Sequence, residues 1–407
     1  MELRRLENGL RVVLVPCEAE SVAAGLFIAT GSRHETAREA GVSHFVEHML
    51  FKGTPTRTPL QISQALEGRG GNFNACTSEE ATCYYTHMPD EYLGESVDIL
   101  SDMYLNASFP KDEFEREKGV IIEEIRMYDD DPDSVAMENL QRNLFPRCSL
   151  GAPVAGTPES LLPMRPEDLR RYVAGRYLPS NTIAVVVGSF DPDRAMRELS
   201  SRLGGFSRKG RRAPDGGSPL RGRVVPFQTA SRDIKQTQVA LGYRTFGIHD
   251  GRRYAATVFD AVMGRGMSSR LFQSVRERRG LSYDIASHMR FFGDAGMWTV
   301  GAGVAPEKAE AAMAVIDREC ARIREHRVSA AELKRTKEFL IGNFKMSHEA
   351  VVAKLFFYGQ TLLAFGRVVS PEDQIDGIRA VTAEDVQAVA GAIVRPGCRS
   401  ASLVTPK

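Results

Sequence analysis

Two histidines and a glutamate within five residues are the part of this sequence best suited to chemistry: His44-Phe45-Val46-Glu47-His48. At the helical 100° per residue, His44, Glu47 and His48 fall within about 100° of one another on one side. Two imidazoles one turn apart can grip one Zn²⁺, and a carboxylate between them can take the proton of an activated water. The order H-x-x-E-H is the reverse of the commoner H-E-x-x-H. A merely solvated helix face would carry Lys, Arg and Glu rather than two His, so the pattern predicts a metal site. The same stretch supplies its own anchor. Val42, Phe45, Val46, Met49 and Leu50 follow the i, i+3, i+4, i+7, i+8 spacing of a stripe that faces a core.

A zinc held by two His needs a further protein ligand, and a carboxylate from a second helix can supply it. Phe109-Pro110-Lys111-Asp112-Glu113 opens such a helix, with Pro and acids in its first turn. Glu117 and Glu124 lie seven apart on it, nearly on one line along the axis, beside Ile121, Ile122 and Ile125. Glu124, flanked by isoleucines, is a better candidate than Glu113 or Glu115. Asp129-Asp130-Asp131-Pro132 ends the helix as a solvated cap or as one wall of a cleft. His34, in a polar loop before the motif, is weighed as a ligand and set aside.

Other elements must position these groups. Gly9 to Val15 and Val22 to Ala29 read as strands, and Leu60 to Leu66 as a short amphipathic helix. Asn72 to Thr77 and Ala81 to Met88 read as strands separated by Ser78-Glu79-Glu80, and Tyr92 to Leu105 as a helix. Gly70-Gly71 beside a polar strand suggests either close approach by another backbone or a bulged hairpin. Cys76 and Cys83 are seven apart, on opposite faces of any continuous strand, which argues against a shared metal.

At 407 residues the chain exceeds the size at which one core usually keeps growing, so more than one domain is expected. With 53 basic and 52 acidic residues, its charge gives no argument for nucleic acid or a membrane surface. The six Cys are scattered without a C-x-x-C pair and read as reduced packing thiols. No signal peptide or apolar span of membrane length is apparent, and a cytoplasmic protein is expected.

A repeat divides the chain. A helix start at Arg165-Pro166-Glu167-Asp168 is followed by the strand Asn181 to Gly188. A second start at Val381-Thr382-Ala383-Glu384 is followed by the strand Arg399 to Val404. The reading is an α+β protein of two homologous halves from an internal duplication, residues 1–207 and 225–407. Residues 208–224, basic and rich in Gly and Pro, form the linker. In the second half, Thr237 to Tyr243 corresponds to the strand near Gly25, and Tyr254 to Met263 takes the place of the motif helix without any His. One metal per chain follows. Ser329-Ala330-Ala331-Glu332 is a capping box that opens a long helix through Asn343 and on to Phe357.

Gly41 to Leu50, with Phe51-Lys52-Gly53-Thr54 following, resembles the pitrilysin and mitochondrial processing peptidase family of inverzincin metallopeptidases. Glu124 stands 76 positions after His48, where the processing-peptidase branch places its third zinc ligand. Glu117 matches that family's second acid, which orients the site. Gly70-Gly71 with Asn74-Ala75 resembles the active-site edge strand, and Gly151 to Glu159 a later surface loop. Arg276 and Tyr283 match an Arg/Tyr pair at a spacing of seven.

The resemblance implies a clamshell of two halves, each a mainly antiparallel sheet with helices packed on it. It implies one Zn²⁺ per chain on His44, His48 and Glu124, with Glu47 as general base and Glu117 in support. A peptide would add along the strand at Asn72, Phe73, Asn74 and Ala75, and Arg276 and Tyr283 would reach it across the cleft. Zinc motif and Arg/Tyr pair occur together here, whereas heterodimeric relatives divide them between subunits, so a homodimer is expected. The rival reading is a non-catalytic scaffold or binding subunit of a two-subunit processing-peptidase-like complex. Two positions depart from the family pattern: Arg265, in a turn often all Gly, and Cys76, where an aromatic is common.

Overall fold

The computed structural model describes residues 1–208 and 222–407. Most of the expected linker, residues 209–221, lies outside the described residues. The chain opens with strands β1 (Glu2–Arg5), β2 (Arg11–Pro16) and β3 (Ser21–Ile28), then helices α1 (Val42–Leu50) and α2 (Pro59–Glu67). The hairpin β4 (Asn72–Thr77) and β5 (Thr82–Pro89) follows, then α3 (Leu93–Asn106), α4 (Lys111–Asp130) and α5 (Pro132–Leu144). After these come α6 (Pro158–Leu161), α7 (Pro166–Arg176), β6 (Thr182–Gly188) and α8 (Pro192–Leu203). The remainder begins with β7 (Phe227–Arg232), β8 (Thr237–Thr245), α9 (Arg253–Gly264), β9 (Ser282–Phe291) and β10 (Gly296–Val304). It ends with α10 (Ala309–Glu325), α11 (Ala330–Ser347), α12 (Val351–Phe365), α13 (Pro371–Ala380), α14 (Ala383–Ile393) and β11 (Ser400–Pro406).

Among the described residues the strands form two sheets, ordered β1-β2-β6-β3-β5-β4 and β7-β11-β8-β10-β9. Apart from β1, they share one connectivity. In each, the parallel pair is formed by an early strand and the last one, β2 with β6 and β7 with β11. The central strand then pairs antiparallel with the far arm of a hairpin whose near arm forms the edge. The fold is thus mixed α and β, as the repeat predicts, with mainly antiparallel sheets, as the resemblance implies.

The compact units cut the chain differently from the contiguous halves 1–207 and 225–407. Met346–Val369 belongs to the first unit and Arg126–Gly151 to the second. Leu355, Tyr358 and Leu362 of α12 pack with Val13, Phe27, Cys83, Ile183 and Val185 on one face of the first sheet. Leu140 and Leu144 of α5 pack with Ala240, Met297 and Val404 of the second. The helix expected to run from Ser329 to Phe357 is therefore two: α11 stops at Ser347, and extended backbone at Ala350 starts α12. Helix α5 itself is an addition, because Pro132 opens a new helix directly after α4, capped by the Asp131 side chain on the Ser134 N–H.

On its other face the first sheet packs against Phe45, Val46, Met49 and Leu50 of α1, with Phe114 and Ile121 of α4 and residues of α3 and α8. The Phe45 and Phe114 rings stack at 4.5 Å, joining α1 to α4. Burying each such side chain contributes roughly 1.5–3 kcal/mol, which is what holds the polar faces of these helices in register.

Candidate metal centre

Helix α1 starts at Gly41, whose φ of 92° is left-handed and strained for any residue with a Cβ. A Cβ there would also stand 2.6 Å from the Ala155 carbonyl oxygen, and one on Gly156 would stand 2.6 Å from that of Ala40. The loop from Gly151, which resembles a surface loop, thus clamps the start of the motif helix. Glu35 caps it, accepting from the Gly41 and Ser43 N–H groups at 2.8 and 2.7 Å. Burial pushes this carboxyl up to about 7, against the hydrogen bonds from Ser43 and Gly41 that favour its charged form. The Ser43 hydroxyl in turn meets the buried Tyr172 hydroxyl at 2.7 Å.

On α4, Phe114, Glu117, Lys118 and Ile121 are buried, and Glu124 follows one turn later on the same line. Glutamates therefore occupy positions of an inward stripe, and they meet α1 there. His48 Nε2 lies 3.4 Å and His44 Nε2 3.8 Å from one oxygen of Glu124. One donor atom from each of the three residues lies within 4.8 Å of the others. Glu117 does not join this group; it accepts from His48 Nδ1 at 3.1 Å. That bond commits the Nδ1 proton of His48 and leaves Nε2 for a ligand. Lys52, one turn after His48, holds the other Glu117 oxygen at 2.5 Å. Glu117 is kept well charged by these partners despite its burial.

The donor set fits Zn²⁺. Two imidazole nitrogens and a carboxylate oxygen gather within 4.8 Å of one another, an arrangement that repels itself unless a cation or proton sits among them. The proton affinities carry the same message. Although burial alone would lower it, His48 is raised to about 9 by its hydrogen bonds to Glu117 and Glu124 and by their charges. His44 is lowered to about 4 by burial and by the neighbouring His48, and its other nitrogen, Nδ1, is buried without a partner.

Glu47 lies on the same face of α1, half-buried, and accepts from the Thr77 hydroxyl of β4 at 2.5 Å. Burial raises its proton affinity most; the Thr77 hydrogen bond and His48 oppose this, and the Glu124 charge adds to it. Strand β4 is the edge of its sheet. Phe73 and Ala75 pack toward the core that α1 shares, and Asn72 and Asn74 are exposed. His34 accepts from the Gly31 N–H and stays in its loop. Cys76 and Cys83 do not fall on opposite faces: the hairpin folds back and pairs them directly across the two strands.

Arg276 and Tyr283 belong to the second unit. Arg276 stands in a π-helical turn, Phe272–Glu277, with its guanidinium 5.0 Å from the centre of the Tyr283 ring. Tyr283 is 80% exposed. Arg265 pairs with the buried Asp260. Glu35, Lys52 and Thr77 are the residues that reading by motif missed. Lys52 could have been found four positions after His48, and Thr77 by its alternation with Phe73 and Ala75.

The sequence model described as Insulinase (Peptidase family M16) matches residues 11–158. A second, described as Peptidase M16 inactive domain, matches residues 163–340. An uncharacterized zinc protease of Bacillus subtilis (strain 168) is 33% identical over 385 residues, 94% of this chain and 93% of its own length. Another, from Mycobacterium leprae, is 37% identical over 388 residues, 95% of this chain and 87% of its own. The crystal structure of a protease from Helicobacter pylori superposes with a TM-score of 0.93 at 20% identity, covering 100% of this chain and 99% of that one; this likeness speaks for the fold alone. Relatives this similar over nearly the whole chain, with a donor set suited to the metal in their names, place the protein in the insulinase family of zinc peptidases, peptidase family M16.

Proposed function

We propose that the chain is a zinc endopeptidase acting on extended, unstructured peptides, with Glu47 as its general base. The observation that carries this is the position of Glu47, beside the three-donor cluster and hydrogen-bonded to the strand edge at which a peptide can add. Zinc held by His44, His48 and Glu124 supplies Lewis acidity and makes a water a stronger acid. Glu47 accepts the proton of the attacking water and passes it to the nitrogen of the leaving amine. Its raised proton affinity suits the second transfer, and the Thr77 hydroxyl keeps the carboxylate aimed for the first. Glu117 holds His48 in the tautomer whose Nε2 lone pair would be available to a metal.

The peptide adds as a strand beside Asn72, Phe73, Asn74 and Ala75. Backbone hydrogen bonds at this edge give affinity without demanding one side chain, which is why the substrate must be extended. Within the second unit, the Tyr283 phenol can donate to an oxyanion and the neighbouring Arg276 guanidinium can anchor a carbonyl or carboxylate. Since each chain carries both groups of residues, the assembly is a homodimer of complete subunits, a point that sedimentation of the purified protein decides. A complete donor set with a base beside it weighs against the non-catalytic scaffold reading, because a scaffold has no need to keep either.

The deciding experiment combines a zinc assay with a digest of mixed unstructured peptides. The wild-type chain is expected to hold one zinc and cleave, and Glu47→Gln to hold the zinc and not cleave. Normal cleavage by Glu47→Gln removes the general-base assignment, and a zinc-loaded wild type that cleaves nothing favours the scaffold.

A further inference from the structure

We propose that Cys76 and Cys83 are a redox pair that closes a reversible disulfide across the β4–β5 hairpin and stiffens the edge strand. The latch function rests on the reading of β4 as the peptide's seat; the disulfide itself does not.

The pairing is built into the register. Cys76 stands opposite Cys83, between the pairs Ala75–Tyr84 and Thr77–Thr82. The Ser78 N–H donates to the Ala81 carbonyl at the hairpin turn. Two steps further on, Cys76 and Cys83 are therefore again in the hydrogen-bonded phase of the ladder. Cα atoms of such a pair lie about 5.5 Å apart. Disulfides span Cα separations of about 4.4–6.8 Å, which this pair meets, and Cβ separations of about 3.5–4.5 Å, so the two strands must draw together by about 1 Å to close the bridge. The facing Cys83 thiol lowers the proton affinity of Cys76, against burial, while burial holds the Cys83 thiol well above its ordinary value.

Their surroundings divide the roles. Cys76 is exposed on the edge strand, while Cys83 is 2% exposed among Val13, Phe27 and Ile183. A small oxidant such as a hydroperoxide reaches Cys76 first. The Cys76 thiolate attacks one peroxide oxygen; an S–O bond forms, the O–O bond breaks, and hydroxide leaves to become water. Cys83 then gives up its proton and attacks the Cys76 sulfur; an S–S bond forms, the S–O bond breaks, and a second water leaves. Two thiols and one hydrogen peroxide thus yield one disulfide and two waters, and a dithiol reverses the change.

The consequence for the site runs through the next residue. Thr77 turns to the opposite face of β4 and donates to Glu47. A covalent tie at Cys76 fixes the twist of the strand that must both receive a peptide and hold that hydroxyl in place.

The test treats the intact protein with stoichiometric hydrogen peroxide and maps a non-reducing digest by mass. The expected product is one cross-linked pair of peptides containing Cys76 and Cys83, reversed by dithiothreitol and absent in Cys83→Ala. In the oxidised form the amides of Asn72 to Thr77 should exchange hydrogen more slowly, and peptide cleavage should fall several-fold and recover on reduction. Oxidation of Cys76 to the sulfinic acid without the cross-link overturns the pair. A complete cross-link with unchanged hydrogen exchange overturns the latch. Both readouts are independent of peptidase activity, so a protein that cleaves nothing in its reduced form counts against the proposed function and leaves these two measurements decisive.

Discussion

Beside the first sheet, Glu47 of α1 accepts a hydrogen bond from the Thr77 hydroxyl on the edge strand β4; beside the second, Asp260 of α9 accepts one from the Ser287 hydroxyl on the edge strand β9. The two edges are equivalent in connectivity, and so are the two helices that precede them. Asp260, however, is fully buried and also accepts from Trp298 Nε1 at 3.0 Å and Arg265 Nε at 2.5 Å. Its oxygens are spoken for, and it works as a core fastener. Glu47 is longer by one methylene, half-buried, and keeps lone pairs for a passing proton. The same helix-to-edge contact thus serves as structure where it is saturated and as chemistry where it is left incomplete.

Substituting the two acids tests this contrast most sharply. Glu47→Gln should lower peptide turnover by about 10²–10⁴-fold with little change in melting temperature. Asp260→Ala should instead cost roughly 1–3 kcal/mol for each of the two buried donors it strands, Trp298 Nε1 and the Ser287 hydroxyl, in denaturant titration. Should Asp260→Ala melt like the wild type, the fastener role fails.

The support behind the ligands comes next. Glu117→Gln should weaken zinc affinity about 10–100-fold in chelator competition. His48, raised to about 9 in the metal-free protein, must lose its extra proton when zinc binds. Calorimetry near neutral pH, repeated in buffers of different ionisation enthalpy, should therefore show proton release, and affinity should fall as the pH drops from about 9. No proton release would mean that His48 is not the ligand its geometry suggests.

Tyr283→Phe should slow turnover more than it raises KM, and equal effects on both would make the phenol a binding group. Thr77→Val removes a hydrogen bond that holds the Glu47 proton affinity down, so the acid limb of the pH–rate profile should move to higher pH, with a modest loss of rate. An unmoved limb would separate Thr77 from the base.

The last test reads stability rather than turnover, at Glu35. Its carboxyl is raised from 4.5 to about 7 by burial, so the folded chain binds a proton that the unfolded chain releases. That contribution to stability is complete below about 4.5 and is lost as the pH rises through about 7. Glu35→Gln should flatten this slope in thermal melts taken across the window.

How much was legible beforehand depends on distance along the chain. The motif helix could be read because its polar and apolar residues obey one period, and α4 because two glutamates interrupt a stripe of isoleucines. The edge strand and its hairpin were legible, but the faces of Cys76 and Cys83 were not, because counting along one strand ignores the turn between them. Thr77 looks like any strand threonine until α1 is laid against it. Helix α5 was missed because Asp129 to Pro132 looks like an ending, although the same residues cap a new helix. The exchange of α5 and α12 left no local trace, since nothing in either amphipathic pattern names the sheet it will meet.

That exchange governs how the chain can come into being. When the first 208 residues have left the ribosome, one face of their sheet, with Val13, Phe27, Ile183 and Val185, still lacks the helix that covers it. The cover is α12, which ends at Phe365. Meanwhile α5, already made, waits for strands β8 and β11, the latter the final strand of the chain. Neither half can complete its core alone during synthesis, and the first sheet keeps one apolar face uncovered until α12 has been made. Two cores therefore depend on a single act of folding.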